Sequence, residues 1–157
     1  MTSPDLGQWP PSGGKYRRSE VSSRIGAGDL VWERSVVDVL RWRVKTASGF
    51  TVSSAASVRP GDRVDVTAHL FGVRVLEPVE VVAVVEEPER VGFSYRTLPG
   101  HPVSGEEAFV VSRHGDEVHL TVRSLTRASP QQPWRALFPV LLVVQAIVRR
   151  RYLRALR

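Results

Sequence analysis

The chain contains no cysteine. Disulfides and thiolate metal sites are thereby excluded, and a reducing cytoplasm is the expected compartment. Lysine is scarce as well. Only Lys15 and Lys45 stand beside twenty arginines, a ratio that looks like codon bias rather than selection for phosphate contacts. Long apolar runs are missing. The stretch between Arg135 and Arg149 holds thirteen uncharged residues, short of the roughly 20 that a membrane-spanning helix needs. The opening MTSPDLGQWPPSGG lacks the apolar core of a secretory signal. No nucleophile elbow, glycine-rich phosphate loop or HExxH pair occurs, and no cofactor is implied.

The net charge of +6 is unevenly placed. Arg149, Arg150, Arg151, Arg154 and Arg157 lie in the last nine residues, and without them the chain carries only about +1. No basic strand with interleaved aromatics is present, which argues against a nucleic-acid partner. The terminal arginines favour the end of a helix dipole, and they are also candidates for weak contact with an anionic membrane.

What is present is one domain's worth of ordinary globular sequence. Residues 1 to 14, rich in Pro, Gly and Ser, are expected to form a disordered arm, with Trp9 as a possible tack, and residues 15 to 157 the domain. Residues 15 to 25 read as a first strand, ended by Gly26 and Gly28. Asp29 is a candidate N-cap for a helix over residues 30 to 43, with Trp32, Val36, Val39 and Leu40 as its apolar stripe and Arg34 and Asp38 as an exposed pair. Trp32 and Trp42 read as core.

Strands are then expected at 50 to 58, 64 to 71, 73 to 76, 79 to 85, 91 to 98, 106 to 113 and 118 to 127. The turn at RPGDR (59–63) and an interruption at Glu77-Pro78 divide them. Short strands joined by close turns predict a meandering antiparallel sheet. Residues 134 to 156 read as one long helix with Pro133 in its first turn and a bend at Pro139. Being apolar nearly all round, that helix should be covered on more than one side.

TLPGHPVSGEEAF (97–109) concentrates the chemistry. Pro99-Gly100 is a turn pair, Pro102 holds His101 extended, and Gly105 offers a second bend. Adjacent Glu106 and Glu107 must point to opposite faces of a strand. Glu106 is inward if Ala108 and Val110 face the core, and Glu107 if Phe109 and Val111 do. An inward carboxylate needs a partner, for which His101, Arg123 and Arg127 are candidates. His114 and His119 flank the HGDE turn, a spacing that argues against a metal site, and His69 falls on a polar strand face.

GFSYRTLPGHPVSGEEAFVV (92–111), LTVRSLTRASP (120–130) and VRRRYLRAL (148–156) resemble the family known as domain of unknown function nineteen-ninety. RIGAG (24–28) and the tryptophan-containing helix after it resemble that family's N-terminal part. The order of elements resembles the helix-grip scaffold of START-like and birch-pollen-allergen-like (SRPBCC) proteins. The resemblance implies an α+β fold in which a curved antiparallel sheet wraps a long C-terminal helix, with a cavity between them and no established reaction.

The first functional expectation is a non-enzymatic domain that holds an apolar or amphipathic small molecule in that cavity. Phe93, Tyr95, His101, Glu106, Glu107 and Arg123 are the expected contact residues. The alternatives are a cyclase- or hydrolase-type enzyme using His101 with Glu106 or Glu107, and a membrane- or partner-docking protein using the terminal arginines.

Overall fold

The computed structural model describes residues 1 to 11, 13 to 70 and 72 to 157. Phe71, counted above with a strand, lies outside them. The strands are β1 (Arg17–Ala27), β2 (Thr51–Val52), β3 (Arg63–Leu70), β4 (Val73–Glu87), β5 (Arg90–Thr97), β6 (Val103–His114) and β7 (Glu117–Ala128). They form one antiparallel sheet in the order β1-β7-β6-β5-β4-β3-β2. Consecutive strands from β2 to β7 are spatial neighbours, and β1 closes against β7. The helices are α1 (Asp29–Val39), α2 (Arg43–Thr46) and α3 (Phe138–Tyr152).

Period-two alternation decides which side chains meet. Val91, Phe93 and Tyr95 of β5, Phe109 and Val111 of β6, and Val118, Leu120 and Val122 of β7 share the inner face. Val39, Leu40, Trp42, Val44, Tyr152 and Leu156 pack onto them from the helices and the residues that flank them. Trp42 meets Phe93 edge-on at 4.8 Å between ring centres, so its place in the core is as expected.

Several boundaries differ from expectation, each for a local reason. The first helix stops early because Trp42 adopts a left-handed backbone (φ 62°), which turns the chain into the separate four-residue α2. Gly28 rather than Asp29 is the N-cap, while Asp29 receives a 2.5 Å hydrogen bond from Arg113. Arg34 does not pair with Asp38; it reaches the Leu156 carbonyl at 3.5 Å. The strand expected at 50 to 58 shrinks to β2, because Ser53 to Ser57 offers little apolar surface to bury. Glu77-Pro78 does not interrupt β4. Pro78 falls where the β5 ladder gives way to a loop, accepting from the Leu98 N–H at 2.9 Å, so its missing donor costs no ladder bond.

The last helix is also shorter than expected. It begins at Phe138 with Pro139 in its first turn, a position where proline's absent N–H has no partner to lose, so Pro139 starts the helix instead of bending it. Pro133 lies in the preceding turns. Among the described residues the helix is covered on one side only: Val140, Val143 and Ile147 are 56%, 62% and 52% exposed. Among the described residues, no helix is long and apolar enough to cross a membrane.

The N-terminal arm, expected to be disordered, lies as a strap over the outer face of the sheet. Thr2, Pro4 and Trp9 are buried. The Arg123 guanidinium, 1% exposed, donates to the carbonyls of Thr2 (3.3 Å), Ser3 (2.6 Å) and Gly7 (3.1 Å) and to Glu20 (2.6 Å). Arg90 donates to the Pro4 carbonyl at 2.6 Å, and Arg18 stacks on the Trp9 ring at 3.5 Å. Replacing Arg123 by methionine removes the charge-assisted bonds that hold three strap carbonyls. The released strap can rehydrate, which limits the expected loss to about 2–4 kcal/mol. Proteolysis of the Arg123→Met protein should trim the first residues rapidly while the domain persists; trimming no faster than in the parent would count against the strap.

Candidate functional site

Between the inner face and α3 lies a cavity of about 100 Å³. One water needs only about 10–15 Å³ on this measure, so several would fit. Its apolar wall includes Phe50, Val75, Leu141, Val144 and Val148, and its polar groups include Lys45, Glu77, Tyr95, His101, Glu107 and Tyr152.

The loop of residues 97 to 102 brings His101 here by a tight turn. The His101 N–H closes on the Leu98 carbonyl at 3.1 Å, and Gly100 takes φ 100°, as the Pro-Gly pair of a type II turn requires. The Nδ1 of His101 accepts from the Val103 N–H at 3.1 Å, which places the ring proton on Nε2, facing Glu77 Oε1 at 4.0 Å. That approach is too long for a hydrogen bond and is no ion pair. Burial, with the Lys45 charge adding to it, pushes the His101 pKa down to about 3, so the ring is neutral.

Phe109 and Val111 face the core, and Glu107 is therefore the inward glutamate. Its partners are not His101, Arg123 or Arg127. Tyr95 donates to its Oε1, Ser124 donates to its Oε2 at 3.0 Å, and the Lys45 ammonium stands 3.7 Å away. Lys45 in turn donates to the Tyr152 hydroxyl at 2.6 Å. It lies over the rings of Phe50, Tyr152 and Tyr95 at 4.4, 5.1 and 5.5 Å, an aromatic enclosure that suits a desolvated cation. Burial and the neighbouring carboxylates raise the phenol pKa values of Tyr95 and Tyr152 well above the ordinary range, so both hydroxyls stay protonated.

Of the expected contact residues, Tyr95, His101, Glu106 and Glu107 line the cavity. Glu106 nevertheless engages the strap, accepting from the Thr2 N–H at 2.8 Å. Phe93 is wholly buried among Trp42, Tyr95 and Phe109 and does not line the cavity, nor does Arg123, which serves the strap. Gly105 makes no bend. It lies inside β6 opposite Thr126, at φ 155°, where a Cβ would run into the Leu125 backbone of β7.

Sequence reading missed Lys45, Glu77 and Tyr152. Glu77 had a signal: it shares the period of Val75, Val79 and Val81, two of which are buried core residues, and so had to face inward. Burial raises its pKa, opposed by Lys45 and assisted by Glu107.

A pH dependence follows from His101 and Glu77. The unfolded chain protonates His101 near 6.5 and the folded one near 3, so between those values the unfolded state binds more protons and stability falls as pH falls. Glu77 acts oppositely. Its raised folded pKa gives a stabilising contribution below its unfolded value of 4.5, lost as pH rises through the folded value. The His101 Cε1–H resonance should therefore show no titration between pH 8 and pH 4. A midpoint between 6 and 7 in the folded protein would contradict the buried neutral ring.

The likenesses to known proteins agree with this architecture. A protein of Deinococcus radiodurans named UPF0548 protein is 31% identical over 118 residues, a match covering 68% of this chain and 60% of that protein's length. The hypothetical protein jhp0584 of Helicobacter pylori superposes with a TM-score of 0.64 at 17% identity, covering 99% of this chain and 96% of that one. Ginseng major latex-like protein 151 from Panax ginseng does so with a TM-score of 0.54 at 17% identity, covering 88% and 99%. At such identities the structural likeness speaks for the fold alone. The family profile described as Domain of unknown function (DUF1990) matches residues 2–155, and to that family the chain belongs.

Proposed function

We propose that the domain binds an amphipathic small molecule between its sheet and α3. The observation that carries this is a cavity of about 100 Å³ with an apolar wall and buried polar groups collected in it, the lining of a small-ligand site at a volume below the usual range of about 300–1,000 Å³. The helix-grip likeness supports the reading at the level of fold. An acid–base enzyme using His101 with Glu106 or Glu107 lacks its geometry: the carboxylate facing His101 is Glu77, and a ring with a pKa of about 3 is a poor base at neutral pH.

Isothermal titration with 1-octanol tests the proposal. Saturable binding with a negative heat-capacity change is expected, and Val144→Trp, which fills the cavity from the helix side, should weaken it by about tenfold or more. Absence of saturable binding, or equal binding by the folded Val144→Trp protein, would overturn it.

A second reading rests on the other side of α3. Exposed Val140, Val143 and Ile147 lead to exposed Arg150, Arg151 and Arg154, a combination suited to an anionic membrane surface. Sedimentation with phosphatidylserine vesicles that declines with salt supports it, and no sedimentation at low salt contradicts it.

A further inference from the structure

The hydrogen-bonding balance of the cavity narrows the chemistry of what it takes, an inference that rests on the cavity being a ligand site. Lys45 donates one hydrogen bond, to Tyr152, and its charge stands 3.7 Å from Glu107. The Glu107 oxygens accept from Tyr95 and Ser124. Two buried acceptors on the cavity lining, Glu77 Oε2 and Gln145 Oε1, have no hydrogen-bond partner among the described residues. They come from opposite walls, Glu77 from β4 and Gln145 from α3.

An acceptor left unpaired away from water loses the full free energy of its hydration. A ligand that donates to it recovers that loss, whereas one presenting only acceptors adds repulsion. A carboxylate placed here could accept from His101 Nε2–H, but it would face two carboxyl groups, with the Lys45 ammonium already 3.7 Å from one of them. Arg149 also lines the cavity, but it is half-buried and stands one helical turn before Tyr152, toward the C-terminal end of α3.

We propose that the cavity selects amphipathic molecules whose polar end donates hydrogen bonds, a hydroxyl or an ammonium, over molecules ending in a carboxylate. Glu77 makes the distinction, and Gln145 adds a second acceptor for the donating end.

Three probes of one chain length test this: 1-octanol, octylamine and octanoate, titrated calorimetrically at pH 7. Octanol and octylamine are expected to bind about tenfold or more tightly than octanoate. Glu77→Gln replaces one acceptor by a donor, so it should weaken octylamine and strengthen octanoate, narrowing the ratio. Gln145→Leu should weaken octanol. Thermal melting of both variants shows whether the fold is kept. If octanoate binds as well as the other two, or Glu77→Gln leaves the ratio unchanged in a folded protein, the selection is wrong while the cavity remains a ligand site. If none of the three binds, both readings fall.

Discussion

Lys45→Met should destabilise the domain by about 3–5 kcal/mol, the usual consequence of removing one member of a buried ion pair. The Lys45 and Glu107 side chains are 7% and 17% exposed, so water cannot easily replace the missing ammonium. The Tyr152 hydroxyl loses its donor, and Glu77 loses the charge that opposes its rise in pKa. Methionine restores apolar volume among Phe50, Tyr95 and Tyr152 but not the charge. The double variant Lys45→Met/Glu107→Gln removes both charges and keeps one of the two acceptor oxygens that Tyr95 and Ser124 use at position 107. It should be more stable than the single variant by about 1–4 kcal/mol. Denaturation midpoints of the parent, both single variants and the double variant give the coupling directly. Independent, additive effects would show that the two residues do not form a working pair.

Gly105→Ala has the largest expected effect of any single-methyl change. A Cβ built there falls 1.7 Å from the Leu125 carbonyl oxygen and 2.8 Å from its carbon. Both atoms belong to the backbone of β7, an interior strand held by β1 on its far side, so neither can swing aside as a side chain would. The Gly105 N–H also bonds the Thr97 hydroxyl at 3.0 Å, which fixes the strand from the β5 side. Relief therefore requires β6 to part from β7 next to Glu106 and Glu107. A loss of roughly 3 kcal/mol or more is expected, at or beyond the top of the ordinary overpacking range, and a melting temperature lower by roughly 6–12 °C. Gly13→Ala is the control, since nothing among the described residues lies within 4 Å of a Cβ there; it should stay within about 0.5 kcal/mol of the parent. A Gly105→Ala protein melting with the Gly13→Ala control would refute the close approach.

Much of the sheet was legible because most of its strands alternate or run apolar between clear turns. The Pro99-Gly100 turn was legible for a covalent reason, proline fixing one φ and glycine permitting the other. The choice between Glu106 and Glu107 was not. Ala108, Phe109, Val110 and Val111 are all fully buried, so alternation along β6 carries no contrast between faces. The outer face is buried because the strap covers it, and the strap was illegible in turn. Its Pro- and Gly-rich composition offers little apolar area, and what holds it is an arginine more than a hundred residues away gripping backbone carbonyls. Lys45 was hidden by a tertiary event, the left-handed turn at Trp42 that redirects the chain. For α3, hydrophobicity required cover but could not specify on how many sides; the sheet covers one, leaving room for the cavity.

On the proposed function, a ligand sits in this cavity, bounded by polar groups of the sheet and apolar residues of α3. Amide chemical-shift mapping during titration with 1-octanol tests it most directly. The shifts should concentrate at Lys45, Thr97, His101, Glu107, Val144 and Tyr152 and saturate together with one dissociation constant. Shifts confined to the exposed side of α3 at Val140, Val143 and Ile147, with the cavity residues unmoved, would contradict it.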